Sequence, residues 1–224
     1  MVLKIGHRGA AGHAPENTLR SFMAAIGLGC DMIELDVHLC ASGEVMVIHD
    51  DTVDRTTNGS GQVSELSLDE LKRLDAGAGE QVPTLVEVLD LLKDRVLLNI
   101  ELKGLGIAEP VYRILTLKGW RNEDFMVSSF NWGMLREYRD LNLNARLGVL
   151  SFNNHEEALA YAQIIDADSI NLYHKLLSQE YVDEVHRNGF KIYPWTLNNA
   201  EDIKNAINLG VDGIISDYPD RITF

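Results

Sequence analysis

The chain has 224 residues, of which 46% are hydrophobic, so it is long enough to bury one sizeable core. Its formal net charge of −14 argues against a surface that binds nucleic acid or an anionic membrane. The sequence contains neither a signal-peptide pattern nor an apolar stretch of the roughly 18 residues that a membrane span needs, so we expect a cytoplasmic protein without stable membrane association.

Short apolar or β-branched runs alternate with segments of helical periodicity. Strands are predicted at 2–5, 32–37, 96–102, 125–129, 145–149, 169–172, 191–195 and 213–216. Helices are predicted between them at 17–28, 84–93, 108–117, 131–141, 155–163, 178–187 and 200–208. Eight strands alternating with helices predict an α/β fold, the (β/α)₈ TIM barrel. The alternative, a doubly wound open sheet, is less favoured because no Gly-rich dinucleotide fingerprint follows a strand.

Two features describe how the chain is organised. No linker rich in Pro, Gly or Ser divides it, so we expect a single domain over 1–224. A short insertion at about 39–83 lies between the second strand and the second helix, where a βα loop is normally about 2–6 residues long. It contains an alternating extra strand at 44–49 and a capped helix at 67–74. Because βα connections lie on the active face of a barrel, the insertion is a candidate lid or substrate-shaping element.

Carboxylates occupy one face of two predicted strands. In MIELDVH, Glu34 and Asp36 alternate with apolar residues, and in LLNIELK the same is true of Glu101. The apolar set is expected to pack under the helices, which directs the acids into the barrel. Three buried carboxylates would repel one another unless a cation joined them, and oxygen ligands favour Mg²⁺ or Ca²⁺. The alternative is a buried salt-bridge network with Lys103 and Arg8, and we prefer the metal.

Histidines and cations accompany these carboxylates. His7 ends the first strand and His49 ends the extra strand, so the two could act as a general acid and a general base. Arg8 and Lys103 supply positive charge, and an arginine can hold a phosphate with two parallel hydrogen bonds. The glycines around Arg8 are expected to let the backbone approach the ligand. Together these residues suggest a phosphate ester as substrate.

The two cysteines are Cys30 and Cys40. Two thiols in a chain of this length do not make a disulfide framework, so both are expected to be free.

The sequence resembles the glycerophosphodiester phosphodiesterase family. The motifs that carry the resemblance occur in the family's order along nearly the whole chain: GHRG and PENT, IELDV, VIHD and DRTTNGSG, NIELK, SSF, YPWT and GVDGIISDYPD. The resemblance implies a (β/α)₈ barrel and metal-assisted hydrolysis of glycerophosphodiesters to an alcohol and sn-glycerol 3-phosphate. One departure is Cys40-Ala41-Ser42-Gly43, where relatives commonly carry a Thr-x-Asp-Gly turn; it lies in the hairpin before His49 and leaves the expected function intact.

The resemblance also implies roles for single residues. His7 and His49 resemble the acid–base pair, and Glu34, Asp36 and Glu101 resemble the metal ligands. Arg8 and Lys103 resemble phosphate contacts. Phe130 and Trp195 resemble walls around the glycerol moiety, although two inward aromatic rings could also be core packing. Glu16 resembles a supporting residue.

Several alternatives stay open. The nucleophile is either a metal-activated water or the substrate's own 2-hydroxyl, which would give a cyclic phosphate, and we favour the second. A lysophospholipase D-like or sphingomyelinase D-like activity would require an apolar rim or a secretion signal, and the sequence shows neither. A non-catalytic ligand-binding barrel is disfavoured because both histidines are present. The alcohol group, the metal, the order of histidine action and the oligomeric state are left undetermined.

Overall fold

The computed structural model describes residues 2–223. Its strands are β1 (Leu3–Gly6), β2 (Met32–Leu39), β3 (Val45–Val47), β4 (Leu97–Leu102), β5 (Phe125–Ser129), β6 (Leu147–Ser151), β7 (Ser169–Leu172), β8 (Lys191–Ile192) and β9 (Gly213–Ser216). Its α-helices are α1 (Leu19–Gly27), α2 (Leu68–Leu71), α3 (Leu85–Leu92), α4 (Ala108–Leu117), α5 (Trp132–Leu141), α6 (His155–Ile165), α7 (Gln179–Arg187) and α8 (Ala200–Asn208).

All strands except β3 form a parallel barrel. Their order is β8-β7-β6-β5-β4-β2-β1-β9, and β3 pairs antiparallel with β2. The two end strands approach each other through hydrogen bonds that the backbone N–H groups of Asp212 and Ile215 donate to the carbonyls of Ile192 and Pro194, at 3.1 and 3.0 Å. The predicted TIM barrel is confirmed as a nearly closed barrel of eight parallel strands alternating with helices.

The alternation of side chains along each strand separates two layers. Ile33, Leu35 and Val37 of β2 are fully buried in the main core, between the sheet and the helices. The opposite face of the strands fills the barrel, where Met32 and Met126 belong to a smaller apolar cluster. The polar residues of β2 share this inner face. The prediction that the apolar side chains of β2 face the helices and its polar side chains face the barrel interior therefore agrees with the structure.

The segment 39–83 follows β2 and has a small core of its own. Met46, Ile48, Val53 and Leu71 are among the buried residues of this core, which is separate from the main one. The helix predicted at 67–74 is shorter, and α2 begins after a capping box formed by Ser67 and Glu70. The core of the segment positions the chain that follows β3.

Several predicted boundaries shift by one to three residues, and the end of β8 is one of them. The sequence pattern predicts a strand over 191–195, but β8 ends at Ile192. Pro194 has no N–H to donate to a neighbouring strand, which interrupts the ladder; Trp195 then forms an isolated bridge with Tyr173. Cys30 and Cys40 are free, as expected. Among the described residues, no helix has both the length and the apolar character that a membrane crossing requires.

Candidate active site

Three carboxylates meet inside the barrel on two neighbouring strands. Glu34 and Asp36 lie on β2, and Glu101 lies on β4 directly opposite Asp36. Each contributes an oxygen atom, and these oxygens all lie within 4.8 Å of one another. The residues are only 4%, 1% and 8% exposed. The structure therefore brings together, out of water, the three acids that the sequence pattern groups.

Burial and mutual repulsion oppose the ionisation of two of these carboxylates. Burial raises the pKa of Glu34 well above its ordinary value, and the charges of Asp36 and Glu101 raise it further. Burial and the charge of Asp36 raise the pKa of Glu101 to about 7. Within residues 2–223, Glu34 Oε1 is buried and accepts no hydrogen bond. Oxygen ligands this close together, one of them without a partner, fit a hard divalent cation.

Arg8 and Lys103 bring positive charge to the same cluster. Arg8 Nε lies 3.3 Å from Asp36 Oδ2. Lys103 Nζ lies 2.8 Å from Glu101 Oε1 and 3.7 Å from Asp36 Oδ1. Burial would raise the pKa of Asp36, but Arg8 and Lys103 outweigh it and hold that pKa below its ordinary value. The alternative salt-bridge network is thus partly formed: Arg8 and Lys103 pair with Asp36 and Glu101, whereas no Lys or Arg side chain of the described residues forms a salt bridge with Glu34.

His7 and His49 come from different segments but are held in the same way. His7 follows β1, and its Nδ1 lies 2.6 Å from Asp217 Oδ1. His49 follows β3, and its Nδ1 lies 2.5 Å from Asp50 Oδ1. A carboxylate at Nδ1 fixes the ring and favours the tautomer that carries its proton there. This leaves Nε2 of both rings available for proton transfer.

The Nε2 atoms of the two histidines have different surroundings. His7 Nε2 lies 4.0 Å from Glu34 Oε2, whereas His49 Nε2 lies 3.1 Å from Lys103 Nζ. An ammonium group only donates hydrogen bonds, so this contact requires an unprotonated Nε2 on His49. Burial lowers the pKa of His49, which also favours its neutral form.

The loop after β1 is closely packed at two of its glycines. A Cβ on Gly6 would lie 2.3 Å from the Gly9 carbonyl oxygen, and one on Gly9 would lie 2.4 Å from Ser21 Oγ. These glycines therefore let the loop pack on itself and on α1; the approach of its backbone to a ligand stays a prediction. Arg8 between them has a φ of 51°, which is uncommon for a residue with a side chain. Its N–H donates to Glu34 Oε2 at 2.9 Å, and its carbonyl accepts from Ser21 Oγ at 2.8 Å, which holds this conformation.

Aromatic side chains form another side of the barrel mouth, and we call Phe130, Phe152, Tyr173 and Trp195 the aromatic wall. Phe130 and Trp195 meet edge to face with ring centroids 5.3 Å apart, and they line the same cavity as the carboxylates. Phe152 stacks on Tyr173 at 4.6 Å. Phe130 and Phe152 remain 43% and 52% exposed, so large parts of both rings face solvent.

Three residues that contact the site have no role predicted from the sequence. Asp217 directly follows β9 and could have been found from its position at the carboxyl end of a barrel strand. Asp50 is adjacent to His49, but adjacency alone does not predict a contact. Arg55 lies in the irregular part of segment 39–83, where no periodicity indicates the direction of a side chain.

Comparison with known proteins identifies the family. The model of the glycerophosphoryl diester phosphodiesterase family matches residues 7–221. The chain is 39% identical to a glycerophosphodiester phosphodiesterase of Caldanaerobacter subterraneus subsp. tengcongensis, an alignment that covers 99% of this chain and 96% of that protein. It is 26% identical to a lysophospholipase D of Mus musculus, over 97% of this chain and 84% of that protein.

A solved structure shows the same fold. An Oleispira antarctica phosphodiesterase, determined in complex with the product sn-glycerol-3-phosphate, superposes with a TM-score of 0.91 at 30% identity, covering 97% of this chain and 94% of that one. The family model spans nearly all of the described residues, and the carboxylates, histidines and cations lie within its match. The chain therefore belongs to the glycerophosphoryl diester phosphodiesterase family and is an enzyme of that class.

Proposed function

We propose that this enzyme hydrolyses small glycerophosphodiesters to an alcohol and sn-glycerol 3-phosphate, with a divalent metal and two histidines as its catalytic groups. The observation that carries the proposal is the cavity lined by His7, His49, Glu34 and Glu101, in which acid–base groups face a cluster suited to a cation. The product bound to the Oleispira antarctica phosphodiesterase supports the glycerophosphodiester class of substrate. The cytoplasmic location and the single domain stay predictions of the sequence.

Glu34, Asp36 and Glu101 would hold the metal, which we propose is Mg²⁺ or Ca²⁺ because all three ligands are oxygen donors. When bound, the ion would neutralise negative charge that develops on the phosphoryl oxygens. Arg8 and Lys103 would contact the phosphate with charge-assisted hydrogen bonds. A divalent ion would offset the mutual repulsion of the three carboxylates and, with Arg8 and Lys103, would supply positive charge that complements a phosphodiester anion.

We infer a route through a cyclic phosphate. In the first step the glycerol 2-hydroxyl attacks phosphorus; one histidine accepts its proton, and the other protonates the alcohol oxygen as its bond to phosphorus breaks. In the second step water opens the cyclic phosphate, and the histidines exchange roles. Attack from within the substrate gains from a high effective molarity. Two histidines with matching carboxylate partners suit a reaction that needs an acid and a base in each step.

The surroundings of the two rings support an order of action. Lys103 Nζ donates to His49 Nε2, and burial lowers the pKa of His49, so this ring is held in the neutral form that a base needs before it accepts a proton. His7 Nε2 instead lies 4.0 Å from the carboxylate of Glu34. We propose that His49 is the base of the first step and that His7 protonates the departing alcohol.

A substrate analogue tests this route. Glycerophosphocholine that lacks only the 2-hydroxyl is expected to inhibit competitively but to be cut far more slowly than the parent, because its nucleophile is missing. Glycerophosphocholine that lacks only the terminal hydroxyl is the matched control and is expected to be cut. Phosphorus NMR of the parent reaction should show a transient cyclic phosphate. Cleavage of the first analogue at nearly the parent rate would make water the direct nucleophile.

The structure also gives one reason to consider a lysophospholipid substrate. Leu105, Phe130 and Phe152 follow the consecutive barrel strands β4, β5 and β6, and they are 81%, 43% and 52% exposed. The apolar rim that the sequence did not reveal is therefore present on one side of the mouth. Such a rim could contact an acyl chain, and the Mus musculus relative is a lysophospholipase D.

The two substrate classes are distinguished by comparing kcat/KM for glycerophosphocholine and for long-chain lysophosphatidylcholine. Our proposal predicts the higher value for glycerophosphocholine and a similar change for both substrates in Phe152→Ala. Leu143→Ala, which removes a 76% exposed leucine after α5, is the matched control. A higher kcat/KM for the lysolipid, lost selectively in Phe152→Ala, would establish the second function instead.

A further inference from the structure

A line of ionic contacts joins His49 to Arg8 across the barrel mouth, and Arg55 is its centre. Arg55 Nε and Nη2 donate to the two carboxylate oxygens of Asp50 at 2.6 and 3.0 Å. Arg55 Nη1 and Nη2 donate to the two oxygens of Glu16, both at 2.8 Å. Beyond these, Asp50 holds the His49 ring at 2.5 Å, and Glu16 accepts from Arg8 Nη1 at 2.8 Å.

We propose that Arg55 is a positioning residue that fixes the His49 ring and the Arg8 guanidinium relative to each other. This inference rests on the proposed roles of His49 in proton transfer and Arg8 in phosphate binding. Asp50 and His49 belong to segment 39–83, whereas Glu16 and Arg8 belong to the loop after β1. The Arg55 side chain contacts the carboxylates of both segments, so it connects the two functional side chains through hydrogen bonds from one guanidinium.

The chemistry of the guanidinium suits this role. Its planar group forms two-point contacts with both carboxylates at once, which sets the angle and the distance between them. A lysine carries the same charge on a single nitrogen and cannot form both two-point contacts. Hydrogen bonds from Arg55 hold the pKa of Asp50 below its ordinary value, so that carboxylate stays ionised beside His49.

The exposure of Arg55 argues that its main effect is geometric. The side chain is 48% exposed, and ion pairs this close to solvent contribute little to stability. Loss of Arg55 should therefore leave the fold intact while His49 and Arg8 become more mobile.

Kinetics of four variants test the inference. Arg55→Ala is expected to lower kcat/KM by about 10–100-fold, the usual effect of removing a residue that orients a functional ligand. It should both lower kcat, through His49, and raise KM, through Arg8. Asp50→Asn should mainly lower kcat, and Glu16→Gln should mainly raise KM. Arg55→Lys should recover only part of the kcat/KM that Arg55→Ala loses, because a lysine keeps the charge but cannot form the two-point contacts of the guanidinium.

The pH dependence of stability gives an independent measurement. Burial would raise the pKa of Glu16, but Arg55 and Arg8 hold it below its ordinary value, and Arg55 lowers that of Asp50. Carboxylates with lowered pKa stabilise the folded state above their ordinary values, about 4, and lose this contribution as the pH falls through the lowered values. The difference in Tm between the wild type and Arg55→Ala should therefore shrink on acidification.

Arg121→Ala is the matched control, because Arg121 also makes a two-point contact with a carboxylate, that of Asp124, before β5. It should leave kcat and KM unchanged. Kinetics of Arg55→Ala equal to those of Arg121→Ala would overturn the inference, as would full rescue by Arg55→Lys. If Arg55→Ala folds poorly, the other two variants test the inference instead. A lower kcat in Asp50→Asn and a higher KM in Glu16→Gln would support it, and unchanged values in both would overturn it. Unchanged turnover in His49→Ala would instead contradict the proposed function.

Discussion

Alanine in place of His7 or of His49 is expected to lower kcat by about 10²–10⁴-fold, the usual contribution of a positioned general acid or base. Each ring is oriented by a carboxylate at Nδ1, so its Nε2 is the ring nitrogen that would transfer the proton. The affinity for Mg²⁺ or Ca²⁺, measured by calorimetry, should change little because neither histidine is a proposed ligand. This combination separates a loss of proton transfer from a loss of the metal site.

His186→Ala is the control for this experiment. His186 lies on α7 and contacts the carboxylate of Asp212 at 2.9 Å, so it repeats the His–carboxylate pair away from the barrel mouth. Its replacement should leave kcat unchanged. If His7→Ala or His49→Ala turned over glycerophosphocholine as fast as His186→Ala, that histidine would have a structural role only.

Removal of divalent metal is expected to abolish turnover, and Mg²⁺ or Ca²⁺ is expected to restore it. Charge stabilisation by a metal contributes several kcal/mol to phosphoryl transfer, so the rate should fall by about 10³-fold or more. The measurement is an activity assay after chelation, followed by titration of each ion. Full activity in the metal-free enzyme would remove the metal from the proposal.

Glu34→Gln tests whether the metal that turnover requires is bound by the carboxylate cluster. It keeps the size of a buried side chain but removes one charge, so it should weaken metal binding in calorimetry more than it lowers Tm. In the metal-free protein it should even relieve repulsion, because burial, Asp36 and Glu101 all raise the pKa of Glu34. Glu109→Gln, on the exposed surface of α4, is the control and should bind metal as the wild type does. Equal metal affinity in the two variants would exclude Glu34 as a ligand.

The fold is largely predictable from the sequence because its signals are local and repeated. Alternating residues along β2 and β4 separate the core face from the polar face, and capping residues such as Thr84 begin the helices. The errors occur where a nonlocal partner decides the outcome. Strand β8 stops before Pro194, which has no N–H to donate, and the barrel closes there through a few single hydrogen bonds and not through a continuous ladder.

The site is predictable to the extent that its residues lie on strands. The alternation of side chains along β2 and β4 is enough to direct Glu34, Asp36 and Glu101 into the barrel. Arg55 is not predictable in this way, because its partners Asp50 and Glu16 are brought to it by an irregular segment with its own small core. The close packing of Gly9 on Ser21 is not predictable for the same reason, since the Ser21 side chain lies on another element.

The distribution of the site around the mouth affects how enzymes of this architecture can diverge. The proposed metal-binding acids, both histidines and the cations Arg8 and Lys103 come from residues 7–103, whereas the aromatic wall comes from the chain after β5. Of the carboxylates that hold the histidines, Asp217 lies in the second half, after β9. Substitutions at Phe152 and Tyr173, the wall residues without a proposed contact to the glycerol moiety, are therefore expected to change which alcohols are accepted while the proposed catalytic groups stay in place. Under selection for a new substrate, variation should accumulate first in the second half of the chain, around Phe152 and Tyr173, and a mutant library confined to that half should retain a high fraction of active members.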